Sequence, residues 1–117
     1  MSDPIARLRA LCLTLPEALE KETWDTPTFR VRDKIFAMVH DGADVWCKAP
    51  RGVQAMLVEA APDRFLRPPY VGPKGWIGFH LVPETDWAEV EALVRRSYRM
   101  TAPKRLAAQV PGEMETG

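Results

Sequence analysis

The sequence predicts a two-layer α+β domain, an antiparallel sheet with helices packed on it, in the order α-β-β-β-α-β-β-α. Three observations carry this. Between Thr28 and Lys48, apolar and polar residues alternate with period two and are interrupted by short turns containing Asp or Gly, as in an antiparallel meander. Stretches with apolar residues at helical spacing flank the meander and can cover one face of it. Helices do not alternate one-for-one with strands, which argues against a doubly wound parallel sheet.

The first helix spans residues 3–14. Asp3 supplies a capping carboxylate and Pro4 fills the first turn, where a missing N–H does no harm. Ile5, Leu8, Leu11 and Cys12 form its apolar stripe, and Leu15-Pro16 ends it. Glu17–Asp25 is charge-rich, uncapped and ambiguous, and could extend as a first strand. In the meander, Phe29 and Val31 alternate with Arg30 and Arg32. Asp33–Lys34 is the expected turn. Ile35, Ala37 and Val39 then alternate with Phe36, Met38 and His40. Asp41–Asp44 turns the chain into Val45-Trp46-Cys47.

A second helix is expected over 51–61, with Val53, Met56, Leu57 and Ala60 on its apolar side. Arg64–Arg67 and Trp76–Leu81 read as a hairpin joined through Pro68-Pro69 and the Gly72–Gly75 turn. The last helix starts at Asp86, with Glu89 three residues on as in a capping box. Trp87, Val90, Leu93, Val94, Ser97 and Tyr98 mark its buried side. Acids crowd its first turns, and Arg95, Arg96 and Arg99 its last, which suits the helix dipole by roughly 0.3–1 kcal/mol per well-placed charge. Thr101-Ala102-Pro103 stops it, and 104–110 adds a short helical turn. The expected organisation is one domain over 1–110 and a disordered tail over 111–117.

Composition narrows the function classes. With 117 residues the chain has room for a single core. Formal net charge is zero, so attraction to nucleic acid or anionic lipid has to come from a local patch. No apolar run approaches the length of a membrane span, and no signal-peptide pattern opens the chain, so a cytoplasmic protein without membrane partners is expected. Cys12 and Cys47 sit among apolar neighbours without CxxC spacing, which reads as two buried reduced thiols and not a zinc site.

No GxSxG, P-loop or dinucleotide fingerprint is present, so neither a catalytic residue nor a cofactor is assigned. His40 with Asp41 and Asp44 straddles a turn and reads as an exposed hairpin tip. His80 reads as a strand residue packed beside Trp76. Metal binding lacks an acidic ridge on the first helix, which carries Arg7 and Arg9 instead.

A resemblance rests on four features. The first helix ends in Leu15-Pro16-Glu17, and the extended segment TFRVRDKIFAMV follows. Lys48 closes the third strand ahead of a helix. Tyr70 and Gly72-Pro73-Lys74-Gly75-Trp76 precede a helix that carries the pair Ser97-Tyr98. In that order and spacing, over about residues 4–106, the chain resembles the MmcQ/YjbR-like family of small bacterial proteins. Gly75 between Lys74 and Trp76, and Ile77-Gly78-Phe79 after it, depart from the family pattern. The resemblance implies a two-layer fold like type III secretion chaperones, with a frataxin-like (CyaY-like) outline, and DNA binding through a double-wing surface.

The residues supply a matching expectation. Between Val45 and Leu81, Lys48, Arg51, Arg64, Arg67 and Lys74 outnumber Glu59 and Asp63, and aromatics interleave with them. Lys48, Arg51, Arg67 and Lys74 are expected to contact phosphates, with Tyr70 and Trp76 stacking on bases. The plainer alternative is solvated charge around core aromatics. A second basic run, Arg95 to Arg105, reads as charge matched to a helix end. The sequence thus predicts a non-enzymatic protein with DNA as its candidate partner. The other reading is a protein- or small-ligand-binding module, lined by Pro68–Val71 and Gly72–Trp76. A homodimer is a further candidate assembly, since chaperone-like folds pair through sheet or helix surfaces.

Overall fold

The structure is a computed structural model that describes residues 3–23, 25–40 and 44–110. Trp24, the expected turn residues 41–43 and the expected tail 111–117 lie outside the described residues. Helix α1 (Pro4–Leu13) starts where the Asp3 carboxylate accepts the Ile5 N–H at 3.0 Å. The ambiguous stretch after it is a strand, β1 (Leu19–Thr23). The strands β2 (Thr26–Val31), β3 (Lys34–His40) and β4 (Asp44–Cys47) follow, then α2 (Val53–Ala60). A short β5 (Phe65–Leu66), a 3-10 turn (Gly72–Lys74) and β6 (Ile77–His80) lead into α3 (Trp87–Thr101) and α4 (Lys104–Ala107).

All six strands pair antiparallel in the order β1-β2-β3-β4-β6-β5. This is the expected α+β class with one additional strand at the edge.

Two details of the meander differ from the sequence reading. The β2–β3 turn is Arg32–Asp33, one residue earlier than expected, and both residues are left-handed, with φ of 51° and 68°. Two left-handed central residues give the twist that a two-residue hairpin turn needs. The second difference is a bulge. Phe29 pairs with Ala37 but Arg30 pairs with Ile35, so Phe36 is an extra residue in β3. The bulge turns Phe36 onto the same side as Ala37 and Val39, and all three are buried. Strict alternation would have left Phe36 on the opposite face.

The helices cover one face. Phe29, Phe36, Ala37, Val39, Val45, Cys47, Ile77 and Phe79 meet Leu8, Cys12, Val90, Leu93, Val94 and Tyr98 in one continuous core. Val53, Leu57 and Val58 of α2 pack against the same core. Each large apolar side chain sealed there contributes roughly 1.5–3 kcal/mol. Polar links fix the layers. Ser97 donates to the Phe36 carbonyl at 2.5 Å, and Tyr98 donates to the Pro16 carbonyl at 2.6 Å. Both cysteines are buried and reduced. Burial raises both thiol pKa values, that of Cys47 to about 12.

Candidate nucleic-acid interface

Among the described residues the helices that form the core lie on one face of the sheet, and the register says what lies on the other. Residues directly opposite in neighbouring strands point to the same side. Lys21 pairs with Thr28, Thr28 with Met38, Met38 with Trp46, Trp46 with Gly78, and Gly78 with Leu66. These form one row across all six strands. His40 pairs with Asp44 and Asp44 with His80, which makes a second row. Leu19, Arg30 and Ile35 belong to a third. Trp46 and Trp76 are buried, yet neither belongs to the core cluster beneath the helices. Trp46 lies on this uncovered side.

Charge is sorted between the faces. Among the described strand residues, Asp44 is the single acid of the uncovered face, and it is tied to His80, with its carboxylate 2.5 Å from His80 Nδ1. Against it stand Lys21 and Arg30. Arg30 lies along the sheet, donating to Thr28 Oγ1 at 3.2 Å and Thr23 Oγ1 at 3.0 Å. Acids gather elsewhere. Glu20 points to the helix side, where Arg9 binds it. A cleft of about 500 Å³ beside the start of α3 is lined by Asp63, Glu84, Asp86 and Glu89 over Phe65 and Phe79. Arg64 pairs with Glu89 there. Four carboxylates against Arg64 make that cleft acidic and a poor place for a phosphate.

The expected phosphate ligands are brought together only in part. Lys48 follows the end of β4, and Lys34 begins the antiparallel β3, so both sit at one end of the sheet. Lys74 closes the 3-10 turn ahead of β6, whose start lies beside the end of β4. The Lys48 ammonium is held below its ordinary pKa, first by partial burial and then by the charges of Lys34 and Lys74. These three cations therefore converge. Arg51 is exposed just ahead of α2. Arg67 is exposed and folds back along its own loop, so close to Gly72 that a Cβ there would meet Arg67 Cγ at 2.7 Å.

The expected stacking pair divides. Tyr70 is 91% exposed and left-handed, at φ 67°. Trp76 is a correction: it is 8% exposed, its ring sealed and its carbonyl bound by Gln54 Nε2 at 2.5 Å. A ring so covered offers no face to a base. His40 and His80 also depart from the reading. His40 is stacked on Trp46, ring centroids 4.3 Å apart and planes at 22°, and the partner of His80 is Asp44.

Sequence reasoning missed Lys34 and the His40–Asp44–His80 row. Lys34 was within reach, since antiparallel pairing brings the start of β3 and the end of β4 to the same end of the sheet. The His80 partner is 36 residues away in sequence and needs the β4–β6 pairing. Among the described residues, no group of three or more His, Cys, Asp or Glu side chains is placed to hold a metal ion. No helix among them is long and apolar enough to cross a membrane.

The molecule is thus a two-layer α+β domain with helices on one side and a basic, ring-bearing sheet face on the other. The family model described as YjbR matches residues 13–100, and the chain belongs to the YjbR family. No curated protein matches it significantly. A solved structure, Deinococcus radiodurans protein DR2400 with a DUF419 domain, is similar at a TM-score of 0.77 and 21% identity, covering 100% of this chain and 98% of that one. At that identity the likeness shows the fold.

Proposed function

We propose that this chain binds nucleic acid through the uncovered face and basic end of its sheet, as a binding protein and not an enzyme. One observation carries the reading: partial burial, and then the charges of Lys34 and Lys74 nearby at the same end of the sheet, hold the Lys48 ammonium below its ordinary pKa. Like charges held together are unfavourable until an anion arrives between them. A phosphate backbone supplies such anions and gains by releasing its counterions. Tyr70, almost wholly exposed on the loop that ends in Lys74, is the aromatic placed to meet a base. The buried, protonated cysteines suit packing and not nucleophilic chemistry.

The test is a titration of labelled DNA with the wild-type protein at several salt concentrations. The reading expects binding at low salt that weakens steeply as salt rises, with a log–log slope near −0.9 per duplex phosphate contact. Absence of a salt-sensitive complex with any DNA or RNA contradicts it.

A further inference from the structure

We infer that the outward face of α2 is a self-association surface, on which two copies of this chain pack their α2 helices antiparallel about a two-fold axis beside Met56. The pairing stands apart from nucleic-acid binding and needs no ligand.

Composition is the first argument. A surface helix normally turns charged and polar residues outward. Helix α2 carries one charged residue, Glu59, among its eight, and none of the eight is fully buried. Val53, Leu57 and Val58 face the core and are partly covered by it. Ala55, Met56, Glu59 and Ala60 make up the outer side, all exposed, Met56 at 60%. Gln54 donates to the Gly72 and Trp76 carbonyls, which fixes the side that faces in, so Met56 stays outward.

The start of the helix supplies the second argument. Gly52 precedes α2 at φ 86° and gives it no side-chain cap, and no acid lies in its first turn. A helix leaves its first N–H groups without internal partners, and a carboxylate placed there is favoured. The approach is open, since a Cβ on Gly52 would meet nothing within 4 Å. Arg51 is exposed beside it. Among the described residues neither Arg51 nor Glu59 makes an ion pair.

The third argument is what a two-fold axis does with these groups. In an antiparallel pair of helices centred between Ala55 and Met56, position 52 of one copy lies opposite position 59 of the other. Glu59 of each copy then meets the uncapped start of the other's helix and the Arg51 beside it. The two Met56 side chains meet near the axis, and the small Ala55 and Ala60 let the backbones approach. One face thus carries both halves of its own complement. A lipid surface would call for several cations, and this face has Arg51 alone. So few outer residues fall well short of the about 20–30 a side of a stable interface, so the dimer is weak and forms at high protein concentration.

The experiment is sedimentation velocity of the wild-type protein, without nucleic acid, from about 10 μM to about 1 mM, the range in which a small interface fills. The mean mass is expected to rise from the 13.2 kDa of one chain toward twice that. Met56→Glu is expected to stay monomeric throughout. Arg51→Glu and Glu59→Arg are each expected to weaken association at least about tenfold, since each sets like charges against one another. Mixing these two variants is expected to restore it, because every contact then pairs opposite charges. Circular dichroism checks that each variant, altered only at an exposed position, keeps the wild-type fold. A wild-type mass that stays at one chain over the whole range overturns the inference. So does association that survives Met56→Glu, that is indifferent to both charge reversals, or that mixing fails to restore.

Discussion

The backbone N–H of Lys48 is held by the Ser97 hydroxyl at 2.8 Å, and that hydroxyl in turn donates to the Phe36 carbonyl. One fully buried serine therefore ties the middle of α3 to β3 and to the residue at the centre of the lysine cluster. Ser97→Ala leaves a carbonyl and an N–H without partners, each costing about 1–3 kcal/mol where water cannot enter. The expected outcome is a loss of about 2 kcal/mol in urea unfolding, together with weaker nucleic-acid binding because Lys48 loses its anchor. A loss below about 0.5 kcal/mol would show that the link is not structural.

Tyr70 couples stability and binding in opposite senses. A left-handed backbone costs a tyrosine about 1–2 kcal/mol, and here the Val71 and Gly72 N–H groups, bonded to the Pro69 and Pro68 carbonyls, hold the loop in that shape. With 91% of the residue exposed, its ring recovers little of that cost by packing. Tyr70→Gly is expected to raise the unfolding free energy by up to about 1 kcal/mol and to weaken nucleic-acid binding. A destabilised variant, or one with unchanged affinity, contradicts the role given to this ring.

Much of the fold was legible in the sequence because it is written locally. Asp3-Pro4 and Asp86 start helices through contacts two or three residues long, and both carboxylates cap as expected. The alternation in Phe29–Val31 placed those side chains correctly. What was hidden depends on pairing between distant segments. The Phe36 bulge appears only once β2 is laid against β3, and it moves a phenylalanine from one face to the other. The site was harder still. From the sequence Trp76 is expected as a stacking ring and Trp46 only as a strand residue. Both are buried, Trp46 on the face away from the helices, an outcome that needs the positions of Gly78 and the surrounding loop. Gly78 leaves room for Leu66 and Trp46: a Cβ there would lie 2.9 Å from Leu66 Cδ1 and 3.1 Å from Trp46 Cδ1.

Tyr98 gives the fold an alkaline limit. Its phenol is buried, donates to Pro16 and is raised above its ordinary pKa by burial, then by the charge of Glu17. The neutral form is therefore favoured in the native state. Its contribution is fully present below the unfolded pKa near 10 and is lost as pH rises through the higher folded value. Cys12 and Cys47 shift in the same sense, so the comparison that isolates Tyr98 is with Tyr98→Phe. The variant is expected to be about 1 kcal/mol less stable at pH 7 and to lose less stability than wild type between pH 9 and 12. Parallel curves for the two proteins would remove Tyr98 from this account.

The most direct test of the central claim is the affinity of Lys48→Glu/Lys74→Glu for a labelled oligonucleotide, measured against wild type across a salt series, with circular dichroism confirming an intact fold. Reversing the charges of half-buried Lys48 and of Lys74 at this end of the sheet is expected to abolish binding at low salt and to leave the fold intact. Equal affinities, or equal salt slopes for the two proteins, would contradict the assignment of this basic end as the phosphate-binding surface.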